Sequence, residues 1–156
     1  MEINTIKFGK INIGKDRIIT FPEDIIGFPQ IKRYVFLELD ENSPFTWLQA
    51  VDEPSLCFLV IDPALFKPDY QVPISKENMY SLQAEEIEEL ITRVIVTVPE
   101  NPHFMTANIK GPIVINLMSR LAKQLVLADE MFSAKYRIFQ SDEKEFIKPD
   151  DQTAKK

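Results

Sequence analysis

The sequence predicts an all-β, mainly antiparallel fold: a small β-barrel-like single domain with one or two short helices in the middle. Three observations carry this. β-branched and aromatic residues recur in short runs separated by turn residues. The connections between the central runs are short enough to join antiparallel neighbours. Helical periodicity is confined to one central stretch, and many short strands with little helix are the pattern of a barrel or a sandwich.

Residues 5–8, 11–13 and 17–20 read as opening strands, broken at Gly9 and at Gly14-Lys15-Asp16. Longer strands follow at 34–39, 45–51 and 56–61. Asp40-Glu41-Asn42-Ser43-Pro44 and Asp52-Glu53-Pro54-Ser55 join them as turns. The run 56–61 is apolar on both faces, which predicts a buried central strand. Ser75 is placed to cap a short helix over 76–82. Ala84, Ile87 and Ile91 then share a helical face with Leu90 beside them, and Glu85, Glu86, Glu88 and Glu89 lie mostly opposite.

Strands resume at 92–98, 104–110, 112–117 and 121–127, with turns between Pro99 and Pro102 and at Gly111-Pro112. Phe132, Ala134, Tyr136 and Ile138 alternate with Ser133, Lys135 and Arg137, which predicts a half-buried last strand with one wet face. From Gln140 the apolar pattern fades. The domain is therefore set at 1–139, and 140–156 reads as a charged, mobile tail.

The chain of 156 residues has room for one ordinary domain, and 45% hydrophobic with 27% charged residues suits a globular protein with a real core. Lys and Arg number 18 against 24 Asp and Glu, a net charge of -6. That balance lacks the basic face that phosphate binding needs, so no direct nucleic-acid binding is expected. It suits a basic protein surface instead. The single cysteine, Cys57, forbids an intrachain disulfide. No apolar run approaches a membrane span, and residues 1–10 lack the apolar stretch of a signal peptide, so the expectation is a cytoplasmic protein with no membrane contact.

Enzyme chemistry finds little support. Four glycines leave little material for a phosphate loop, and no nucleophile elbow surrounds a serine. The single histidine, His103, has no nucleophile beside it in the sequence and reads as a solvent-facing turn residue. One Cys and one His cannot build a Cys/His zinc site, and no loop has the ligand spacing of a calcium-binding hand. Cys57 reads as a small apolar strand residue. No cofactor is expected.

What remains suits protein contact. Phe45 and Trp47 alternate on one strand, and Asp69-Tyr70 follows Phe66-Lys67-Pro68 in a loop. Aromatics beside acids can form an anchor with a polar rim. Phe45 and Trp47 are also open to a core reading, which a lone Trp favours slightly over an interface. The acidic turns Asp40/Glu41 and Asp52/Glu53 are further contact candidates. In Met105-Thr106-Ala107-Asn108, Met105 and Asn108 either belong to a structural turn or present a sheet edge to a partner segment.

Four stretches together resemble the FliW family of flagellar assembly factors. They are Ile18-Ile19-Thr20-Phe21-Pro22-Glu23 with Gly27-Phe28; Ser43-Pro44-Phe45-Thr46-Trp47-Leu48-Gln49; Leu59-Val60-Ile61-Asp62-Pro63 with Phe66 and Pro68-Asp69-Tyr70; and Met105-Thr106-Ala107-Asn108 with Gly111-Pro112-Ile113-Val114-Ile115-Asn116. The resemblance runs over residues 3–138. Departures are Asp24 and Ile26 where the family commonly has a Gly and a second Pro, Tyr136 where it often has a His, and a longer tail. The resemblance implies a small β-barrel-like, non-catalytic domain that binds the translational regulator CsrA and, alternatively, flagellin. Flagellin awaiting export would occupy the factor; once it is secreted, the freed factor would capture CsrA and flagellin translation would resume. A small-ligand-binding β-barrel is the alternative, since a closed barrel can enclose a cavity.

Overall fold

A computed structural model describes residues 1–38 and 40–139. The expected tail, 140–156, and the end of the expected strand at Leu39 lie outside the described residues.

The chain opens with β1 (Glu2–Thr5) and β2 (Gly9–Asn12), an antiparallel hairpin. Residues 6–8 were expected in a strand, but they form its turn. Thr5 Oγ1 donates to the Gly9 carbonyl at 2.8 Å and accepts from Phe8 N at 2.8 Å, and Gly9 supplies the positive φ of +72°. Lys15–Arg17 is a 3-10 turn, so the next strand, β3 (Ile19–Thr20), is shorter than expected. Then come β4 (Arg33–Leu37), β5 (Phe45–Ala50) and β6 (Cys57–Ile61), paired antiparallel in that order.

Ser75 caps helix α1 (Lys76–Ser81) through a 3.0 Å bond from Asn78 N. The second helical stretch does not exist. Gln83 takes φ +57°, Ile87–Glu89 is a single 3-10 turn with Ile87 exposed, and Leu90 already opens β7 (Leu90–Thr97). Pairing of Leu90 and Ile91 with β9 overrides the local helical pattern. β8 (Thr106–Ala107), β9 (Ile113–Asn116), β10 (Leu121–Gln124) and β11 (Tyr136–Arg137) follow. Pro102–Phe104 is a 3-10 turn where a strand was expected. β11 is a two-residue remnant of the expected last strand, and Ala134, expected on its buried face, is exposed.

The strands close into a barrel in the order β7-β6-β5-β4-β3-β10-β9 and back to β7. All contacts are antiparallel except β10 with β3. Phe21, Tyr34, Leu48, Val60, Ile113 and Ile115 fill the interior. The alternate residues are also buried, under an outer layer. Hairpin β1-β2 covers Val35 and Val51; the segment after α1 covers Val114; the chain around Phe66, Tyr70 and Ile138 covers Leu59, Val94 and Val96. This double cover explains why β6 is apolar on both faces. Phe58, Ile113 and Ile115 face inward, while Leu59, Val94 and Val96 pack on the outside.

One edge of β7 serves two strands. Residues 90–93 pair with β9, and residues 96–97 pair with β8. Between Arg93↔Ile113 and Val96↔Ala107 the register advances three residues on β7 and six on the facing chain. The three surplus residues bulge out, so β9 turns into the barrel while β8 leaves with β11. This fork leaves a gap in the barrel wall.

Candidate protein-binding surface

The two acidic turns lie at opposite ends of β5. Its six residues span about 20 Å at roughly 3.3 Å each. At one end, Asp40 accepts from Asn42 N at 2.9 Å, and Glu41 is exposed. At the other, Arg33 clamps Asp52 with bonds of 2.9 and 2.6 Å, which hold the Asp52 carboxyl below the usual carboxylate range. Glu53 accepts from Ser55 Oγ at 2.9 Å. The turns therefore present two surfaces. Asp69 is exposed, with Lys67 at 3.3 Å.

The aromatic candidates divide. Phe45 is buried in the outer cluster. Trp47 is half-buried, with Phe8 edge-on at 6.1 Å and the Lys7 ammonium 4.4 Å above its ring. Tyr70 packs edge-on against Phe132 and donates its hydroxyl to the Ile109 carbonyl at 2.7 Å; burial pushes its pKa up. Met105 is fully buried and, with Phe45, presents no surface in this conformation.

Asn108 sits on the bulge at the fork. Its Oδ1 accepts from Lys110 N at 3.1 Å and Gly111 N at 2.9 Å, while its own N–H donates to the Ile95 carbonyl at 2.9 Å. Gln124, at the end of β10, donates to the Gly111 carbonyl at 3.0 Å and accepts from Ile26 N at 2.9 Å. These two amides brace the gap in the wall and tie it to the loop after β3. The gap is a cleft of about 580 Å³. Phe28, Phe58 and Ile95 lie toward the barrel interior, and Ile26, Phe104 and Val126 line it with 62, 48 and 60% of their surface exposed. Lys110 and Lys135 also line it. The loop after β3 and the start of β6 place the cleft at the Asp52 end of the barrel. Of the sequence candidates only Asn108 borders it. Ile26, Gln124 and Val126 gave no signal of their own, because the fork that assembles them depends on pairing distant in the chain.

Little here suits bond chemistry. His103 is not a solvent-facing turn residue: it is half-buried and stacks on Phe139 at 5.2 Å and 10°. Cys57 is half-buried, and burial pushes its thiol up to about 11, so it is not a thiolate at neutral pH. Among the described residues no group of three or more His, Cys, Asp or Glu is placed to hold a metal ion, and no helix is long and apolar enough to cross a membrane.

Comparison with known proteins agrees across the whole domain. The family model described as FliW protein matches residues 2–138. A flagellar assembly factor FliW of Leptospira interrogans serogroup Icterohaemorrhagiae serovar copenhageni is 42% identical over 142 residues, 90% of this chain and 95% of that protein. Its counterpart in Alkaliphilus metalliredigens is 42% identical over 145 residues, 92% of this chain and 90% of that one. A crystal structure of the flagellar assembly factor FliW superposes with a TM-score of 0.85 at 34% identity, over 91% of this chain and 99% of that one.

Proposed function

The chain belongs to the FliW family of flagellar assembly factors, and from that premise we propose that it is a non-catalytic, cytoplasmic partner-switching protein. It binds a CsrA-type translational regulator and so relieves repression of flagellin translation. It alternatively binds flagellin, which couples flagellin synthesis to export.

The observation that carries this reading is the placement of charge. Among the described residues, exposed carboxylates stand in the turns at Asp40 and Glu41 and on the ridge of Glu85, Glu86 and Glu88, with Asp52 and Asp69 exposed beside Arg33 and Lys67. An RNA-binding regulator must carry cationic residues, and an acidic surface steers toward them and can cover them. If the two partners exclude one another, flagellin in excess over its dissociation constant leaves little factor free for the regulator. The filled barrel interior speaks against an enclosed small ligand.

Calorimetric titration with CsrA, repeated with saturating flagellin, tests the proposal. Binding of CsrA that flagellin abolishes is the expected result. A folded protein that binds neither would overturn it.

A further inference from the structure

We propose that the hollow on the outer barrel wall between Lys15, Arg33 and Arg120 binds a phosphate group, either free or as the ester of a small molecule. Three neighbouring strands build it. Thr20 on β3 pairs with Arg33 on β4 and with Leu121 on β10, so the three stand in one cross-strand row. Ile19, Tyr34 and Ala122, next to them in the chain, belong to the interior cluster. Alternation therefore turns Thr20, Arg33 and Leu121 outward. Strands lie about 4.8 Å apart, so β4 and β10 are separated by roughly 10 Å, a gap that side chains from both can bridge over Thr20. The 3-10 turn Lys15–Arg17 brings Lys15 to the same hollow, with Ile18 behind it. The hollow has a volume of about 620 Å³, within the range of small-molecule sites, and shares no lining residue with the cleft at the fork.

Charge selects the ligand. Although the chain carries a net charge of -6, no Asp or Glu among the described residues lines this hollow. Asp52 holds Arg33 through Nε and Nη2, which orients the guanidinium and leaves its Nη1 hydrogens for a ligand. Lys15 and Arg120 are exposed and make no ion pair among the described residues, so they stand as two uncompensated positive charges. A phosphate monoester carries about -1.5 to -2 at neutral pH and matches them, whereas a single carboxylate does not. Arg120 holds φ +60°, a conformation that costs a side chain other than Gly or Asn. Its N donates to the Asn116 carbonyl at 2.7 Å, and its carbonyl accepts from Thr20 N at 2.9 Å. The guanidinium is thus rooted in a fixed turn beside Thr20, whose hydroxyl can donate to a phosphate oxygen. Ile18 and Leu121 supply an apolar side for the body of an ester. The inference does not depend on which proteins this chain binds.

The test follows amide NMR spectra of the full chain during titration with inorganic phosphate, phenyl phosphate and acetate at constant ionic strength. Phosphate should give saturable shifts at Thr20, Ser119 and Arg120, and acetate should not. The variant Lys15→Gln/Arg120→Asn should bind at least about tenfold more weakly, because it removes two charge-assisted contacts. Both positions are exposed and Asn suits a positive φ, so the variant should keep the fold, which its spectrum checks. Tighter binding of phenyl phosphate than of inorganic phosphate would assign the site to an ester, and equal binding would assign it to free phosphate. Shifts absent from these amides, shifts that acetate reproduces, or an undiminished affinity in the variant would each overturn the proposal.

Discussion

Asn108 and Gln124 hold the same glycine from two sides. Asn108 Oδ1 accepts from Gly111 N at 2.9 Å, and Gln124 Nε2 donates to the Gly111 carbonyl at 3.0 Å. A Cβ on Gly111 would stand 2.8 Å from Gln124 Nε2 and 3.0 Å from Asn108 Nδ2, so the clasp needs glycine for close approach. The clasp fixes the bulge where β8 and β9 part, and with it the shape of the cleft.

Asn108→Ala should therefore destabilise the fold, since Lys110 N and Gly111 N both lose their acceptor. The expected loss is about 1–3 kcal/mol, the cost of stranding partly buried donors. Asn108→Asp keeps the acceptor and should lose less. Urea unfolding of the two variants measures this. Equal midpoints for Asn108→Ala and the parent would remove the structural role and return Asn108 to the list of partner contacts.

Tyr34 lies fully buried in the barrel interior, and its hydroxyl makes no hydrogen bond among the described residues. Burial pushes its pKa up to about 12. Its ring is held by Phe21 at 5.1 Å and Phe58 at 6.1 Å, contacts that phenylalanine keeps. Tyr34→Phe should leave stability unchanged or raise it by up to about 1 kcal/mol, because an unpaired buried hydroxyl carries a desolvation cost. A clear fall in melting temperature would reveal a partner for the hydroxyl.

Gln49 is a mixed case: its Oε1 makes no hydrogen bond among the described residues, but its amide nitrogen is well used. It is fully buried, and its Nε2 donates to the carbonyls of Ala50 at 3.0 Å and Leu56 at 3.1 Å, with Pro54 at 3.4 Å. It closes the β5-β6 turn from inside. Gln49→Leu should cost about 0.5–1.5 kcal/mol, the worth of the lost side-chain bonds, because the Leu56 carbonyl keeps Ala50 N and the Pro54 carbonyl keeps Ile6 N. Chemical denaturation that finds no loss would mean water replaces the amide.

These residues show what the sequence could carry. The runs that form β4, β5 and β6 were legible because enrichment in β-branched and aromatic residues between turn residues is local. The acidic turns were legible because Asp, Asn, Ser and Pro mark turns for local reasons. Residues 84–91 misled because apolar spacing also satisfies a helix, and only the distant strand β9 decides for a strand at Leu90. The cleft was illegible for the same reason. Ile26, Asn108 and Gln124 come together through pairings of β7, β9 and β10 that no short window contains.

Acid should expose the Arg33–Asp52 pair. The carboxyl of Asp52 lies below its ordinary value in the folded chain, chiefly through its hydrogen bond from Arg33. Its contribution is therefore present above the unfolded pKa of about 3.9 and is lost as pH falls through the lower folded value. Both partners are partly exposed, so screening limits the effect to about 0.2–1 kcal/mol. Asp52→Asn should flatten that part of the stability profile below about pH 4 and change little above it, apart from a small uniform loss. A parent and variant with parallel acid limbs would show that the pair contributes nothing.

The length of β5 makes a prediction about partner geometry. Asp40/Glu41 and Asp52/Glu53 lie about 20 Å apart, beyond the roughly 8 Å over which exposed charges act at physiological salt. A CsrA-type partner docking at one end should feel reversal at that end only. One of the variants Asp40→Lys/Glu41→Lys and Asp52→Lys/Glu53→Lys should weaken binding about tenfold or more and flatten its salt dependence, while the other stays within about twofold, since the strength of a charged contact falls off with screening. Asp52→Asn serves as a control, because reversal there also breaks the pair with Arg33. Trp47 is the chain's single tryptophan and lies half-buried on β5 between the two turns, so its fluorescence can report the titrations. Equal losses from both reversals would mean that the partner spans the full length of β5, and no loss from either would place the contact elsewhere, with the glutamate ridge at 85–89 the next surface to reverse.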